Sequence, residues 1–513
     1  MEFSVIDYIV IVVYLLGVAA LGIYAAGRQS STDDYFMGGH ELPWWAVMFS
    51  VVATETSTLT FISIPAVAYG GNLTFLQITF GYIIGRILVS KLLLPAYVKG
   101  KMTTAYQFLA RRFGDSMRNA ASTTFMITRL LADGVRLFAT AIPLAIILRL
   151  GGAFSGWGDF ELYLLSIAAI SLLTLVYTLI GGIKAVVWMD VMQMAVYVGG
   201  ALLAIAIIIG DLPEGLTGAL AVASDAGKLK LFDFGFGMPF DRFIAQPYTF
   251  FTAVIGGAVF SIASHGTDQL IVQRLLTTRN VKSSQRALVW SGVVVALQFG
   301  LFLFIGLLLY AFYDAQSAQQ LGLATTDEIF AKFIVEQLPV GISGLIIASL
   351  FAAAMSSLSS SLNSLASATT LDLYKPYFGE ENTQAEDLRI SRLITMVWAV
   401  ILTGSAFFFA YLQLQEGERP AVVELGLGIA SYTYGGLLGA FLLGRLFEKP
   451  EKRDALIGFF IGLLSLLFMV EGPLHNILPG EPLVIAWPLY TVVGSAIVII
   501  AGNASRWIRS LRM

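Results

Sequence analysis

The chain has 513 residues, 57% of them hydrophobic and only 13% charged, with a formal net charge of −3. Soluble domains carry roughly 25% charged residues, so so low a charge density over such a length excludes an ordinary soluble protein and implies a polytopic membrane protein; the small net charge points to no nucleic-acid partner. There are no cysteines, and the three histidines (His40, His265, His475) lie far apart, which excludes a disulfide framework and argues against a histidine-type metal centre.

A helical span needs about 20 mostly apolar residues. Thirteen segments meet this in chain order: 5–25, 44–69, 75–98, 121–149, 160–181, 186–210, 247–268, 286–313, 343–370, 388–412, 421–446, 455–472 and 483–504. The first carries Glu2 and Asp7 at its front instead of a basic stretch, and so reads as a retained span, not a cleaved leader. Strands of a membrane barrel are about 10 residues long with alternating polarity, a pattern these segments do not have. Basic residues test the count through the positive-inside rule. With the N-terminus outside, the inner connections collect Arg28, the Lys99–Arg118 cluster, Lys184, Arg274–Arg286, Lys375–Arg392, Arg445–Arg453 and Arg506–Arg512. The outer side holds only Arg149, Lys228, Lys230, Arg242, Lys332 and Arg419. The bias persists loop by loop, which predicts thirteen spans with the C-terminus inside, forming one membrane domain.

Charged groups at bilayer depth are costly and normally face a bundle interior or a wet cavity. Taken along the chain they are Glu55, Arg86, Arg129, Asp133, Arg136 and Asp190. Glu55 sits in ATETSTLTF (53–61), where hydroxyls crowd the middle of the second span. Arg129 and Asp133 are one turn apart and either pair with each other or serve a site. The seventh span is interrupted by Gly256-Gly257, with His265 near its end. The ninth contains AAAMSSLSSSLNS (352–364). At 100° per residue Ser356, Ser359, Ser360 and Asn363 share one face, flanked by Ser357 and Ser361. Serines in membrane helices usually glue helices together; a cluster this dense at mid-span fits a bound hard cation such as Na⁺ better. Discontinuous helices at the midplane are how transporters build ion and substrate sites. The interruptions fall in the second and seventh spans, five apart, as expected for the first members of two five-helix repeats of inverted topology.

In that order, TDDYFMGGHELPWW (32–45), ATETSTLTF, IGGIKAVVWMDVMQ (180–193), TDQLIVQRLLTTRN (267–280) and MSSLSSSLNSLASATTLDLYKPY (355–377) resemble the sodium:solute symporter family. The likeness runs from about residue 5 to 460. It implies an all-α leucine-transporter-type fold: an extra N-terminal helix (5–25), a first repeat (44–210), a second inverted repeat (247–446) and two C-terminal helices (455–504). It further implies a sodium site made by the carbonyls of Ala53, Thr56 and Ala353 and the hydroxyls of Ser356 and Ser357. A second sodium site is implied at Asp190, Ser359 and Ser360; Asp190 alternatively serves as a structural carboxylate. Substrate contacts are implied at Ser57 and Thr60, at Gln77 or Thr79, and at Asp133 and Arg136; Asp133 stands where sialic-acid carriers place an arginine that grips a carboxylate, a departure that permits an anion held by Arg136 or a polyol held by Asp133. Tyr432 and Tyr434 read as aromatic gates or as bundle lining. Glu55 either tunes sodium affinity, as the acidic residue of proline carriers suggests, or is a buried carboxylate bonded to a neighbouring helix.

The function expected is sodium-coupled import of a small organic solute (a sugar, sugar acid or other organic anion) by alternating access. No enzyme activity and no cofactor besides the coupling ion Na⁺ are expected; the partners are solute, Na⁺ and lipid. No phosphate-cradling GxxxxGK[ST] motif is present to suggest direct ATP drive. Rival readings are a proton-coupled carrier with Glu55 or Asp190 titrating, a membrane solute sensor, and an intramembrane hydrolase, for which no nucleophile–base set is apparent.

Overall fold

The computed structural model describes residues 4–27, 29–56, 58–150, 154, 156–323, 325–379, 381–415, 422–470 and 483–511. Among them the chain forms helices and no strand. The first part comprises α1 (Val5–Ala26), α2 (Thr32–Met37), α3 (Trp44–Glu55), α4 (Thr58–Gly70), α5 (Gln77–Leu92), α6 (Leu94–Lys99), α7 (Gln107–Phe113) and α8 (Asp115–Leu150). Next come α9 (Asp159–Asp211), α10 (Gly215–Asp225), α11 (Phe240–Ala245), α12 (Phe250–Gly266), α13 (Gln269–Leu276) and α14 (Val281–Phe312). The chain continues with α15 (Glu328–Glu336), α16 (Ile342–Ala368), α17 (Lys375–Phe378), α18 (Gln384–Gln415), α19 (Val422–Leu446), α20 (Lys452–Met469) and α21 (Tyr490–Ser510). Where they lie within the described residues, the expected spans coincide largely with these helices: 44–69 with α3 and α4, 75–98 with α5 and α6, 160–181 and 186–210 together with α9, and 483–504 with α21 from Tyr490 onward. Among the described residues seven helices are long and apolar enough to cross a membrane, or nine if each of two bent pairs is one span.

The organisation is inverted relative to a soluble protein. α1 and α18 expose Val5, Ile9, Val13, Leu393, Val400 and Phe408, while the centre holds α16, buried along almost its whole length and rich in serine and alanine. Small residues let neighbouring backbones come close, and α16 is packed by α1, α3, α8, α9 and α18. Its N-terminus is capped from afar. Asp7 Oδ1 on α1 accepts the N–H groups of Gly341 (2.7 Å) and Gly344 (2.9 Å) and the Ser343 hydroxyl (2.7 Å). These N–H groups have no partner within the helix, and a carboxylate there also meets the positive end of the helix dipole.

Two helix breaks define the centre. The described arms Trp44–Glu55 and Thr60–Gly70 are bent by 62° relative to each other. α12 and α13 are bent by 61°, and this second break differs from expectation. α12 runs straight through Gly256-Gly257 and stops at Gly266, with Asp268 capping α13 through the Leu270 N–H at 2.9 Å. The glycine pair instead permits close packing: a Cβ at Gly256 would meet Pro488 at 2.5 Å, and one at Gly257 the Ile78 carbonyl at 2.8 Å. A third discontinuity lies inside α9. The fifth and sixth expected spans join through the single residue Gly182 (φ 53°, ψ −150°), where a Cβ would lie 2.5 Å from the Tyr35 carbonyl. Only glycine meets both demands.

On the side of the α4–α5 turn, Lys228 closes the C-terminal end of α4. Its Nζ donates to the carbonyls of Tyr69 (2.5 Å) and Gly71 (3.1 Å) and lies 4.1 Å from the Tyr310 ring centre. Burial pushes its ammonium below the ordinary lysine value.

Candidate functional site

The serines of α16 radiate to different neighbours. Ser356 donates to Asp190 Oδ1 (2.5 Å), and Ser50 of α3 donates to Asp190 Oδ2 (2.5 Å). Arg274 of α13 approaches the same carboxylate at 3.4 Å, donates through Nε to Ser50 (2.9 Å), and bonds the Ser360 hydroxyl through Nη2. Asp190, Ser50, Ser360 and Arg274 are fully buried. Arg274, expected among the basic residues of an inner connection, is therefore a core ion-pair partner, because the second helix break carries α13 back into the bundle. Ser359 and Ser360 both donate to the Ser356 carbonyl (3.0 and 2.6 Å). Ser361 reaches Asp133 Oδ2 on α8 (2.5 Å), and Asn363 Oδ1 accepts Gln273 Nε2 (2.6 Å). Ser357 alone of this row is buried with no hydrogen-bond partner for its hydroxyl.

The first helix break lies against α14 and α16. Thr56, just past the end of α3, has extended backbone (φ −85°, ψ 98°), and its N–H to Val52 is the last bond of the α3 ladder described. The carbonyls of Ala53 and Thr56 lie at that break. The Thr56 hydroxyl donates to Gln298 Oε1 on α14 at 3.0 Å. Glu55 turns the other way. Both its oxygens accept Arg86 Nη2 of α5 (2.6 and 2.5 Å), and His265 Nε2 of α12 lies 3.2 Å from Oε1. Arg86, fully buried, also donates through Nη1 to Ser291 of α14 (2.6 Å). Glu55 thus ties α3 to α5, α12 and α14.

A third cluster surrounds Asp133. Its Oδ1 lies 3.5 Å from Arg129 and 3.3 Å from Arg136, which is partly exposed. Arg129 does not rest on this one-turn pairing. Its Nη2 bonds both Asp268 and the Tyr434 hydroxyl, and Tyr434 donates to Asp268 at 2.7 Å. α8, the second break and α19 are joined there. Among the other expected contacts, Gln77 is buried and saturated: Nε2 donates to the carbonyls of Thr74 (3.1 Å) and Tyr248 (2.9 Å), and Oε1 accepts the Asp233 N–H (3.2 Å). The Thr79 hydroxyl bonds back to Leu76 at 2.7 Å. Thr60 is partly buried on α4, and Ser57 lies outside the described residues. Tyr432 stacks on Tyr490 at 5.6 Å.

Sequence reasoning missed Ser50, Asp268, Arg274 and Gln298 as members of these clusters. A polar residue inside an apolar span was the available signal for Ser50 and Gln298. For Asp268 the signal was an acidic residue followed by a helical pattern, the mark of an N-cap.

A bundle of lipid-facing helices with two broken helices at its polar centre defines an α-helical membrane transporter. A sequence model of the sodium:solute symporter family matches residues 35–462, and the chain belongs to that family. It is a multi-pass membrane transporter, not an enzyme, of a family coupled to Na⁺. It is 30% identical to the sodium/sialic acid symporter SiaT of Proteus mirabilis over 98% of this chain and 95% of that protein. Identity is 29% to the sodium-dependent multivitamin transporter of Oryctolagus cuniculus, over 92% of this chain and 71% of that protein. A solved structure of a Na⁺-coupled sialic acid symporter, substrate-bound and outward-open, superposes with a TM-score of 0.83 at 29% identity, covering 99% of this chain and 98% of that one. MhsT, solved in complex with L-phenylalanine, at 17% identity and TM-score 0.51 over 90% of this chain and 97% of that one, shares the fold.

Proposed function

We infer that the protein is a sodium-coupled secondary active symporter that imports a small organic solute, a sugar, sugar acid or other organic anion, by alternating access. The observation that carries this reading is the Ser357 hydroxyl, buried beside Ser356 on the helix packed against both arms of the first break, and without a partner. An unbonded buried hydroxyl is costly unless a ligand uses it. Hard oxygen donors suit a hard cation, and Na⁺ would be held by the Ser356 and Ser357 hydroxyls with the carbonyls of Ala53, Thr56 and Ala353. Ion binding there draws α16 and the α3–α4 break together and favours the state open to the outside, since a ligand shifts an equilibrium only through differential affinity. Asp190, Ser359 and Ser360 would take a second Na⁺ only in a state where Arg274 has left Ser360, because the guanidinium already supplies the positive charge there.

Ser57 and Thr60 at the break would face the solute, with Thr79 behind them. Arg136, partly exposed and bonded to Asp133 through one nitrogen, offers the rest of its guanidinium to an anionic group, for which arginine is well suited. The similarity to sialic acid symporters favours a sugar acid among the solutes. Gln77, with both ends of its amide engaged, would act by fixing the loop above the solute path. Thirteen crossings with the N-terminus outside and the C-terminus inside follow from the distribution of basic residues, with 44–210 and 247–446 as the inverted repeats. Beyond its concentration gradient, Na⁺ moving inward gains about 2.3 kcal/mol per charge for each 100 mV of inside-negative membrane potential. Uptake of labelled solute into proteoliposomes is the test. Accumulation under an imposed sodium gradient is expected; accumulation under a proton gradient alone would move the assignment to a proton-coupled carrier.

A further inference from the structure

Between α10 and α12 residues 230–235 run as a strip outside any helix. The strip is pinned by backbone bonds: Leu73 N–H to the Lys230 carbonyl (3.2 Å), Phe250 N–H to the Asp233 carbonyl (2.6 Å), and Asp233 N–H to Gln77 Oε1 (3.2 Å). Successive side chains of an extended chain point to opposite sides. Leu231, Asp233 and Gly235 turn toward the protein, while Phe232 and Phe234 turn outward, and Phe236 continues their row. With Phe80 of α5 these rings form one stack. Centroids are 6.2, 6.1 and 5.5 Å apart and the planes lie within 17°, 14° and 11° of each other. Yet Phe80, Phe232, Phe234 and Phe236 are 40%, 43%, 40% and 84% exposed, and Phe240 just beyond is 76% exposed.

Large contiguous apolar patches are rare on surfaces bathed in water and mark an interaction site. What covers this one follows from where it leads. Phe80 heads an exposed row on α5, with Ile84 and Leu88 at the next turns, and α12 beside it exposes Phe251 and Ile255. In a multi-pass protein those faces meet lipid, so the ladder extends an existing lipid-facing surface beyond the helix ends. Segments rich in phenylalanine with charged neighbours, here Lys230 paired to Asp233 at 2.9 Å, settle at the boundary between headgroups and acyl chains. We propose that residues 229–240 form an apron lying on the bilayer on the side of the α4–α5 turn, with Phe236 and Phe240 inserted among the lipids and Gln77 as its anchor. The apron ties the ends of α4, α5 and α12 to the membrane surface, a role separate from solute and ion binding.

The chain has no cysteine, so Phe236→Cys and Phe240→Cys each introduce a single thiol; Asp225→Cys on α10 is the exposed reference. Full-length variants are labelled with a nitrobenzoxadiazole fluorophore and placed in phosphatidylcholine nanodiscs, with or without lipid carrying a doxyl group near the headgroup end of its chain. At 236 and 240 the doxyl lipid should quench emission about twofold, as for groups ~5–10 Å below the surface, while iodide quenches them several-fold less than at 225. Iodide quenching equal to that at 225, without doxyl quenching, would place the ladder in water and overturn the proposal. Protection from both quenchers would overturn it equally, and disulfide dimers of Phe236→Cys would then identify a second copy as the cover.

Discussion

Glu55→Gln is the perturbation with the best-defined consequence. It leaves Arg86, fully buried, with only uncharged hydrogen-bond partners among the described residues, the Ser291 hydroxyl and the new amide. Removing one member of a buried ion pair costs about 3–5 kcal/mol, because the other charge is left uncompensated. Arg86→Gln should cost less, since Glu55 keeps His265 at 3.2 Å and, unlike Arg86, is partly exposed. Replacing both by glutamine removes the stranded charge, so the double variant should be more stable than Glu55→Gln alone, with a coupling of about 0.5–3 kcal/mol. The assay is thermal unfolding of each purified variant in detergent, followed by size-exclusion chromatography, together with the sodium concentration giving half-maximal uptake. Because Glu55 precedes Thr56 at the break, Glu55→Gln should also shift that sodium requirement upward in the folded fraction. Additive losses, or a Glu55→Gln protein as stable as the wild type, would refute the reasoning.

Other outcomes are expected from the same geometry. Ser357→Ala should leave thermal stability in sodium-free buffer unchanged or raise it, because it removes a buried hydroxyl that bonds nothing, and yet raise the half-maximal sodium concentration; unchanged sodium dependence would remove Ser357 from the site. Ser356→Ala should raise it as well and also lower stability, since it strips a bond from Asp190; a thermal-shift series with and without Na⁺ separates the two variants. Gly182→Ala places a Cβ 2.5 Å from the Tyr35 carbonyl at positive φ and should sharply reduce the folded yield on size exclusion, whereas Gly199→Ala, where a Cβ meets nothing within 4 Å, should not. Arg136→Ala should raise KM for an anionic solute without a matching fall in stability; a KM unchanged for every transported solute would rule out the anion role.

The position of the helices was legible in the sequence because hydropathy over about 20 residues is a local property that lipid enforces directly. The composition of the centre was legible for a related reason. Glu55 amid hydroxyls, and five serines within two turns of α16, are too costly at bilayer depth to be accidental. What each polar group meets was decided only by the tertiary structure. Arg129 has Asp133 one turn away, yet bonds Asp268 and Tyr434 from other helices; periodicity shows the local partner and is silent on the distant one. Asp7, at the front of the first span, caps α16 only because α1 crosses that helix end. The second break shows the same limit. A glycine pair allows both a kink and a close helix contact, and Gly256-Gly257 serves packing against Ile78 and Pro488 while the chain bends at Gly266–Asp268. Local sequence determines which segments enter the membrane and which carry costly polar groups; the crossing of helices in three dimensions determines which of those groups neutralise one another and which, like the Ser357 hydroxyl, are left without a hydrogen-bond partner.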